Sequence, residues 1–203
     1  MIAERTTHIE LTDEELMTLV LKKDEKAFSV LYDRYSKMAL NFFFKMLWKD
    51  REKSEDFMQD LFMKIIQKPE LYNSARPFKT WLFSVANNMC KNEYRKAEVR
   101  AKAAPEIFAT QNNSELNKGE KSTDKKLFMN ELNIELENMD QAKRSIFIMR
   151  FKHGFSIKEI SQVLECSEGT VKSRIFYTVK KLNEKLKHFK NIALWLICIN
   201  LIS

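Results

Sequence analysis

SIKEISQVLECSEGTVKSRIFYTVKKLNEKL, residues 156–186, contains two amphipathic helices joined by a tight turn. Ser156 and, three positions later, Glu159 form a capping box, in which each side chain takes up a backbone N–H that the first helical turn leaves unbonded. Ile157, Ile160, Val163 and Leu164 then recur at helical spacing, so the first helix has one apolar face. Ser167 is a second N-cap, and Val171, Ile175, Val179, Leu182 and Leu186 trace the buried stripe of a longer helix. Glu168, Thr170, Lys172, Ser173, Arg174, Tyr177 and Lys181 are left facing outward. Hydroxyl, carboxylate and guanidinium groups in an N-terminal turn suit base edges in a major groove, while flanking Lys and Arg suit phosphates. The pattern predicts a helix-turn-helix that reads duplex DNA, against the plainer reading of a solvated helical hairpin.

The charge distribution supports the first reading. The chain carries a net charge of +7, and residues 140–190, with 12 Lys plus Arg against 5 Asp plus Glu, account for all of it. Basicity that coincides with the helix-turn-helix is what phosphate contacts and electrostatic steering require. With 203 residues, 44% of them hydrophobic, and only 3 Gly and 3 Pro, the chain can bury one or two modest cores but lacks the turn residues of an all-β fold. An all-α protein is expected. Cys90, Cys166 and Cys198 are far apart and form no CxxC pair, and His8, His153 and His188 are equally scattered, so neither a disulfide framework nor a metal site is indicated. No cofactor is expected. The N-terminal segment has no apolar signal-peptide core, which points to a reducing, cytoplasmic compartment.

Along the chain, Thr12 with Glu15 makes another capping box, and Asp24 caps a long helix with an aromatic-rich stripe that includes Phe28, Tyr32, Tyr35, Phe42 and Phe43. Ser54 is expected to cap a third helix, with Phe57, Met58, Leu61, Phe62, Ile65 and Ile66 on its back and Glu55, Asp56, Gln59, Asp60 and Lys64 on its front. Lys68-Pro69 ends it, and an irregular loop from Glu70 to Pro77 leads to a fourth helix from Phe78 to about Lys96. Residues 97–126 are polar and carry Pro105 and Gly119, as a flexible linker would. Beyond it, Leu127, Phe128, Leu132 and Leu136 share one helix, and a second is capped by Asp140 and stopped by Gly154. The expected organisation is therefore two small helical domains, 12–96 and 127–190, joined by the linker, with an apolar tail at 191–203. That tail is too short to span a bilayer and is expected to dock on protein.

The combination resembles the extracytoplasmic-function (ECF, group IV) sigma factors of the sigma-70 family. Three stretches carry the resemblance: EDFMQDLFMKII (residues 55–66), FKTWLFSVANNMCKNEYRK (residues 78–96) and EGTVKSR (residues 168–174). It implies a sigma region 2-like domain at 12–96, a sigma region 4-like domain at 127–190, and an RNA polymerase sigma factor that initiates transcription. Asp56, Gln59 and Asp60 would contact core polymerase at the clamp coiled coil of its largest subunit. Tyr72, Asn73, Ser74 and Arg76 would form a pocket for the promoter −10 element, with Lys79, Asn88, Lys91, Asn92, Arg95 and Lys96 following the opened strand. Glu168, Thr170, Lys172, Ser173 and Arg174 would read the −35 element, with Arg174 foremost. The resemblance also implies promoter DNA and an anti-sigma factor as partners, with membrane contact only through the latter or the tail. Glu165 departs from the family, which commonly has Gly in this turn; a non-Gly residue held left-handed there costs about 1 kcal/mol.

The competing expectation is a stand-alone helix-turn-helix regulator whose N-terminal block senses a signal or dimerises. An enzyme is not expected: no paired carboxylates, metal-ligand spacing or nucleophile-base set is visible, and no small-molecule substrate is implied.

Overall fold

The computed structural model describes residues 8–103 and 124–189, the side chains of 124 and 125 excepted. The described residues are helical throughout, joined by short turns: α1 (Asp13–Val20), α2 (Glu25–Met46), α3 (Arg51–Gln67), α4 (Phe78–Ala103), α5 (Asp124–Glu137), α6 (Gln141–His153), α7 (Ile157–Leu164) and α8 (Glu168–Lys185). One turn of 3₁₀ helix, Pro69–Leu71, follows α3. Most of the expected linker and the whole apolar tail, with Cys198, lie outside the described residues.

Local chemistry sets the helix ends. The Thr12–Glu15 and Ser156–Glu159 capping boxes both form, and Asp24, Asp140 and Ser167 each accept from backbone N–H groups of the turn they start. The start of α3 differs from the expectation. Asp50, not Ser54, is its N-cap and accepts from the Lys53 N–H, while Ser54 lies one turn inside, buried, its hydroxyl donating to the Asp50 carbonyl. Asp is as good an N-cap as Ser, and starting at Arg51 adds a helical turn. The N-terminus of α4 is served from afar, since the Phe78 N–H donates to Glu14 Oε1 of α1 at 2.9 Å. At its other end α4 runs on through Ala103, past the expected end at Lys96. The extension, AEVRAKA, is rich in Ala and closes a Glu98–Lys102 pair at 2.8 Å.

α1 to α4 pack around Leu31, Ala39, Phe42, Phe43, Met46, Leu61, Phe62, Phe78, Leu82 and Phe83, all almost fully buried. The C-terminal helices pack directly on the N-terminal ones. The same apolar cluster continues through Cys90 into Ile146, Ile148, Met149, Phe155, Ile160, Val163 and Val171. α7 lies along α4, and α6 packs on α2 and α4. A smaller cluster holds α5 against α6 and α8 through Phe128, Leu132, Leu136, Phe147, Leu182 and Leu186. Leu127 and Ile66, expected in the core, are about half exposed. Each sits at the edge of its helix's apolar stripe, where the facing layer ends.

The seam between the two halves is aromatic. Phe155 stands edge-on to Phe83 at 4.9 Å, and the His153 ring lies 6.3 Å from Phe42 and 5.8 Å from Phe83. Burial, with Lys79 and Lys152 nearby, pushes the His153 imidazole down to about 4. Polar bridges flank it: Arg144 Nη1 donates to Tyr94 Oη at 2.9 Å, Tyr94 Oη donates to the Met46 carbonyl at 2.6 Å, and Lys49 pairs with Glu137 at 2.7 Å.

Two stability predictions follow from these features. Gly154 ends α6 at φ 66° with open space around its missing Cβ, so Gly154→Ala carries the left-handed cost alone: a loss of about 1 kcal/mol in urea unfolding. Because the fold holds His153 neutral, its contribution is complete above pH 6.5 and declines as the pH falls toward about 4, where the folded imidazole also charges. Urea midpoints should therefore drop between pH 7 and pH 5 in the natural chain, and by clearly less in His153→Leu.

Candidate nucleic-acid interface

The helix-turn-helix is built by α7 and α8. Glu165 ends α7 in the left-handed conformation, φ 52° and ψ 45°, and the Cys166 N–H donates back to the Ser161 carbonyl at 3.1 Å. The turn thus keeps the shape that Gly commonly provides, and Glu165 bears the strain. Ser167 then starts α8, accepting from the Thr170 N–H at 3.1 Å. Val171, Ile175, Val179 and Leu182 hold the back of α8 in the core.

On its free face, Glu168, Lys172 and Ser173 are exposed and Arg174 is half-buried. Thr170 and Ser173 are partly committed within the helix: the Thr170 and Ser167 hydroxyls lie 2.9 Å apart, and Ser173 Oγ donates to the Thr170 carbonyl at 3.0 Å. Tyr177 faces outward as expected and Phe176 joins it, both being 62% exposed and ring to ring at 5.4 Å. Apolar contact with a thymine methyl is one use that an exposed Phe can have. The available signal was that Phe176 falls outside the apolar stripe of α8.

The loop before α4 and the first turns of α4 gather a second set. Asn73, Ser74 and Arg76 are exposed, and Asn73 Oδ1 accepts from the Ala75 N–H at 2.9 Å, which tightens the loop. Tyr72 departs from its expected place in an open pocket. Its ring packs edge-on against Phe78 at 5.7 Å and Trp81 at 5.3 Å, and its hydroxyl donates to the Arg76 carbonyl at 2.9 Å. Burial, with Glu14 and Asp13 adding to it, pushes that phenol up to about 12. Tyr72 therefore shapes the loop from below. Phe78 is fully buried and Trp81 half-buried, so both serve as packing.

Farther along α4, Asn88, Lys91, Asn92, Arg95 and Lys96 are all exposed. Asn88 and Lys91 line a cleft of about 240 Å³, and across it stand Glu165, Cys166 and Arg174. The structure thus places members of the two expected DNA-reading sets on one cleft. Asn87, absent from the expected set, is buried there with Oδ1 unpaired among the described residues.

The third set is separate. Asp56, Gln59 and Asp60 are exposed on α3, and Met63, 47% exposed, continues the same face one turn on. An acidic surface with an exposed thioether beside it offers both charge complementarity and an apolar anchor.

Comparison with known proteins agrees with this geometry. The sequence model of Sigma-70 region 2 matches residues 31–100, and that of Sigma-70, region 4 matches residues 135–182, together more than half of the chain. The chain is 28% identical over 187 residues to the ECF RNA polymerase sigma-E factor of Haemophilus influenzae, covering 88% of this chain and 97% of that protein. It is 27% identical over 173 residues to the ECF RNA polymerase sigma factor SigX of Bacillus subtilis, covering 80% and 85%. Among solved structures, the fold resembles the sigma factor RpoE of Bartonella quintana, crystallised with the anti-sigma factor NepR (TM-score 0.62, 22% identity, 80% of this chain and 98% of that one). It also resembles CnrH in complex with the cytosolic domain of CnrY (TM-score 0.64, 21% identity, 87% and 97%). A Sigma-70 region 2 match over the N-terminal helices disfavours a sensor or dimerisation domain there, and with it the stand-alone regulator. Region 2 and region 4 in this order, the helix-turn-helix within the second, and likeness to curated ECF proteins over most of the chain lead to one conclusion: the chain is an RNA polymerase sigma factor and belongs to the ECF group of the sigma-70 family.

Proposed function

We propose that the three surfaces divide the work of initiation. The α3 face of Asp56, Gln59, Asp60 and Met63 docks on the clamp coiled coil of the largest polymerase subunit. The loop Asn73–Arg76, held from beneath by Tyr72, captures the −10 element as single strand, and Lys79, Asn88, Lys91, Asn92, Arg95 and Lys96 track its backbone. The first turns of α8 read the −35 element as duplex, with Glu168, Lys172, Ser173 and Arg174 joined by Thr170, Phe176 and Tyr177. The protein does this as a non-enzymatic subunit in the cytoplasm, where polymerase and chromosome meet, and an anti-sigma factor is a natural regulator. The domain limits that suit this reading are 12–103 and 124–190, with 104–123 as the tether and 191–203 as an appended tail.

The observation that carries the reading is segregation of charge by helix. α3 turns a carboxylate-bearing face to solvent while α4 and α8 turn cationic ones. A protein partner and a nucleic-acid partner need opposite surfaces, and here they lie on different helices.

Asp56→Ala with Gln59→Ala should weaken binding to core polymerase about tenfold, and Met63→Ala should cost about 1 kcal/mol or more in the same titration. All three side chains are exposed, so thermal unfolding should be unchanged. Unaltered polymerase affinity would remove the α3 assignment. For the −35 element, Arg174→Ala should cost about 1–3 kcal/mol and relax the choice at one base pair, read as holoenzyme binding to single-base promoter variants. Lys181→Ala, a phosphate contact, should weaken every variant alike and reduce the salt slope by about 1.

A further inference from the structure

We propose that the groove between α2 and α6 is a binding site for a small polyphosphate anion, an inorganic chain or the phosphates of a nucleotide, held by Lys37, Lys45 and Lys152 with Asn41 and His153. The groove has a volume of about 460 Å³, within the range of small-molecule sites, and none of the residues lining it carries a carboxylate. Lys37, Asn41 and Lys45 follow one another at four-residue spacing, so they form one stripe about 12 Å long on α2. Lys152 and His153, at the end of α6, form the other wall. Arg34 also lines the groove but is committed elsewhere: Nη1 donates to Asp13 Oδ1 at 2.6 Å, and Nη2 donates to the carbonyls of Ile9 and Leu11. Lys37 and Lys152 are exposed, and neither is paired with a carboxylate among the described residues.

Two further observations point to an anion. The cations are crowded without compensation: burial, then Lys152 and Lys49, lower the Lys45 ammonium from its ordinary value, and Glu137, which opposes them, is already paired with Lys49 at 2.7 Å. Lys45 Nζ finds one neutral acceptor, Asn133 Oδ1 at 3.2 Å. His153 Nε2 is the second sign, a buried ring nitrogen without a partner among the described residues on a side chain that lines the groove. A multivalent oxyanion answers both, neutralising the ammonium groups and accepting from the imidazole. Each four-residue step of the stripe rises about 6 Å, so linked phosphates can meet Lys37 and Lys45 in turn. Nothing at the groove reads a base. Met38 supplies its apolar wall, and Phe42 and Phe83, the rings beside His153, are fully buried, so no aromatic face is offered for stacking as a nucleic-acid strand requires. None of Asn73, Arg76, Lys91 or Arg174 lines the groove, and the proposal does not depend on the promoter assignments.

The test uses the full chain without polymerase, titrated calorimetrically with sodium tripolyphosphate at fixed ionic strength and with sulfate as the reference anion. Tripolyphosphate should fill one saturable site, raise the thermal midpoint in step with the logarithm of its concentration, and shift the imidazole proton resonances of His153. Lys37→Ala with Lys152→Ala removes two exposed charges and should weaken binding about tenfold or more. Lys22→Ala with Lys64→Ala removes the same charge from other exposed positions and should weaken it by no more than about twofold. ATP and GTP should displace tripolyphosphate equally well as each other, because the base is not read; whether they bind more or less tightly than the inorganic chain assigns the site to nucleotides or to that chain. Binding no stronger than that of sulfate, equal losses in the two double variants, or an unmoved His153 resonance would overturn the proposal. So would a single-stranded DNA of about twelve nucleotides that reverses the His153 shift as well as ATP does at equal phosphate concentration, since the groove would then be a track for nucleic acid.

Discussion

The contact of Phe155 with Phe83, flanked by His153, is the constraint on which the arrangement of this sigma factor depends. It joins helices contributed by two sequence regions into one apolar cluster, and without it α1–α4 and α5–α8 would each expose an aromatic surface. Fully burying one Phe is worth about 1.5–3 kcal/mol. A seam of a few such residues can hold two small domains together yet remain within reach of a binding partner's free energy. The ion pairs around it are at or near the surface, where they contribute little and serve chiefly to set register.

The secondary structure was legible because it is local. Capping boxes at Thr12 and Ser156, N-caps at Asp24, Asp140 and Ser167, and the left-handed stop at Gly154 each rest on side chains within four residues of the backbone they satisfy. Where local signals compete, the reading slipped: Asp50 and Ser54 are both N-cap residues, and only the packing of Ser54 into the core decides between them. Tyr72 shows the other limit. Its composition and its place before a basic helix suit a base pocket, but burial against Phe78 and Trp81 is a tertiary fact that periodicity cannot carry across a loop.

The seam was not legible for a related reason. The apolar face of a helix says that it will be covered, not what will cover it. Phe83 meets Phe155, Tyr94 meets Arg144 and Arg76 meets Glu165 across dozens of residues, and Arg76, which suited nucleic acid, was equally suited to another part of the chain. Glu165 illustrates the ambiguity. In the sequence it is a misfit in a turn that favours Gly, with a left-handed conformation costing about 1 kcal/mol. In the structure its carboxylate faces Arg76, and Gly could not supply that contact.

This gives a physical account of why the DNA readers can be weak singly. Two modest contacts on one chain gain strength from effective concentration only when both can engage at once. On the proposed reading, docking through the exposed α3 face would add binding free energy that favours whichever arrangement of the two regions fits polymerase best, and a few kcal/mol of such preference would be enough to move regions joined by one aromatic seam. Arg76 and Lys79 face Glu165 and Glu159, and Arg174 lines the cleft against α4, while Asp56, Gln59 and Asp60 are uncovered. Part of the charge that would otherwise make a +7 protein bind nucleic acid indiscriminately is thereby paired within the fold.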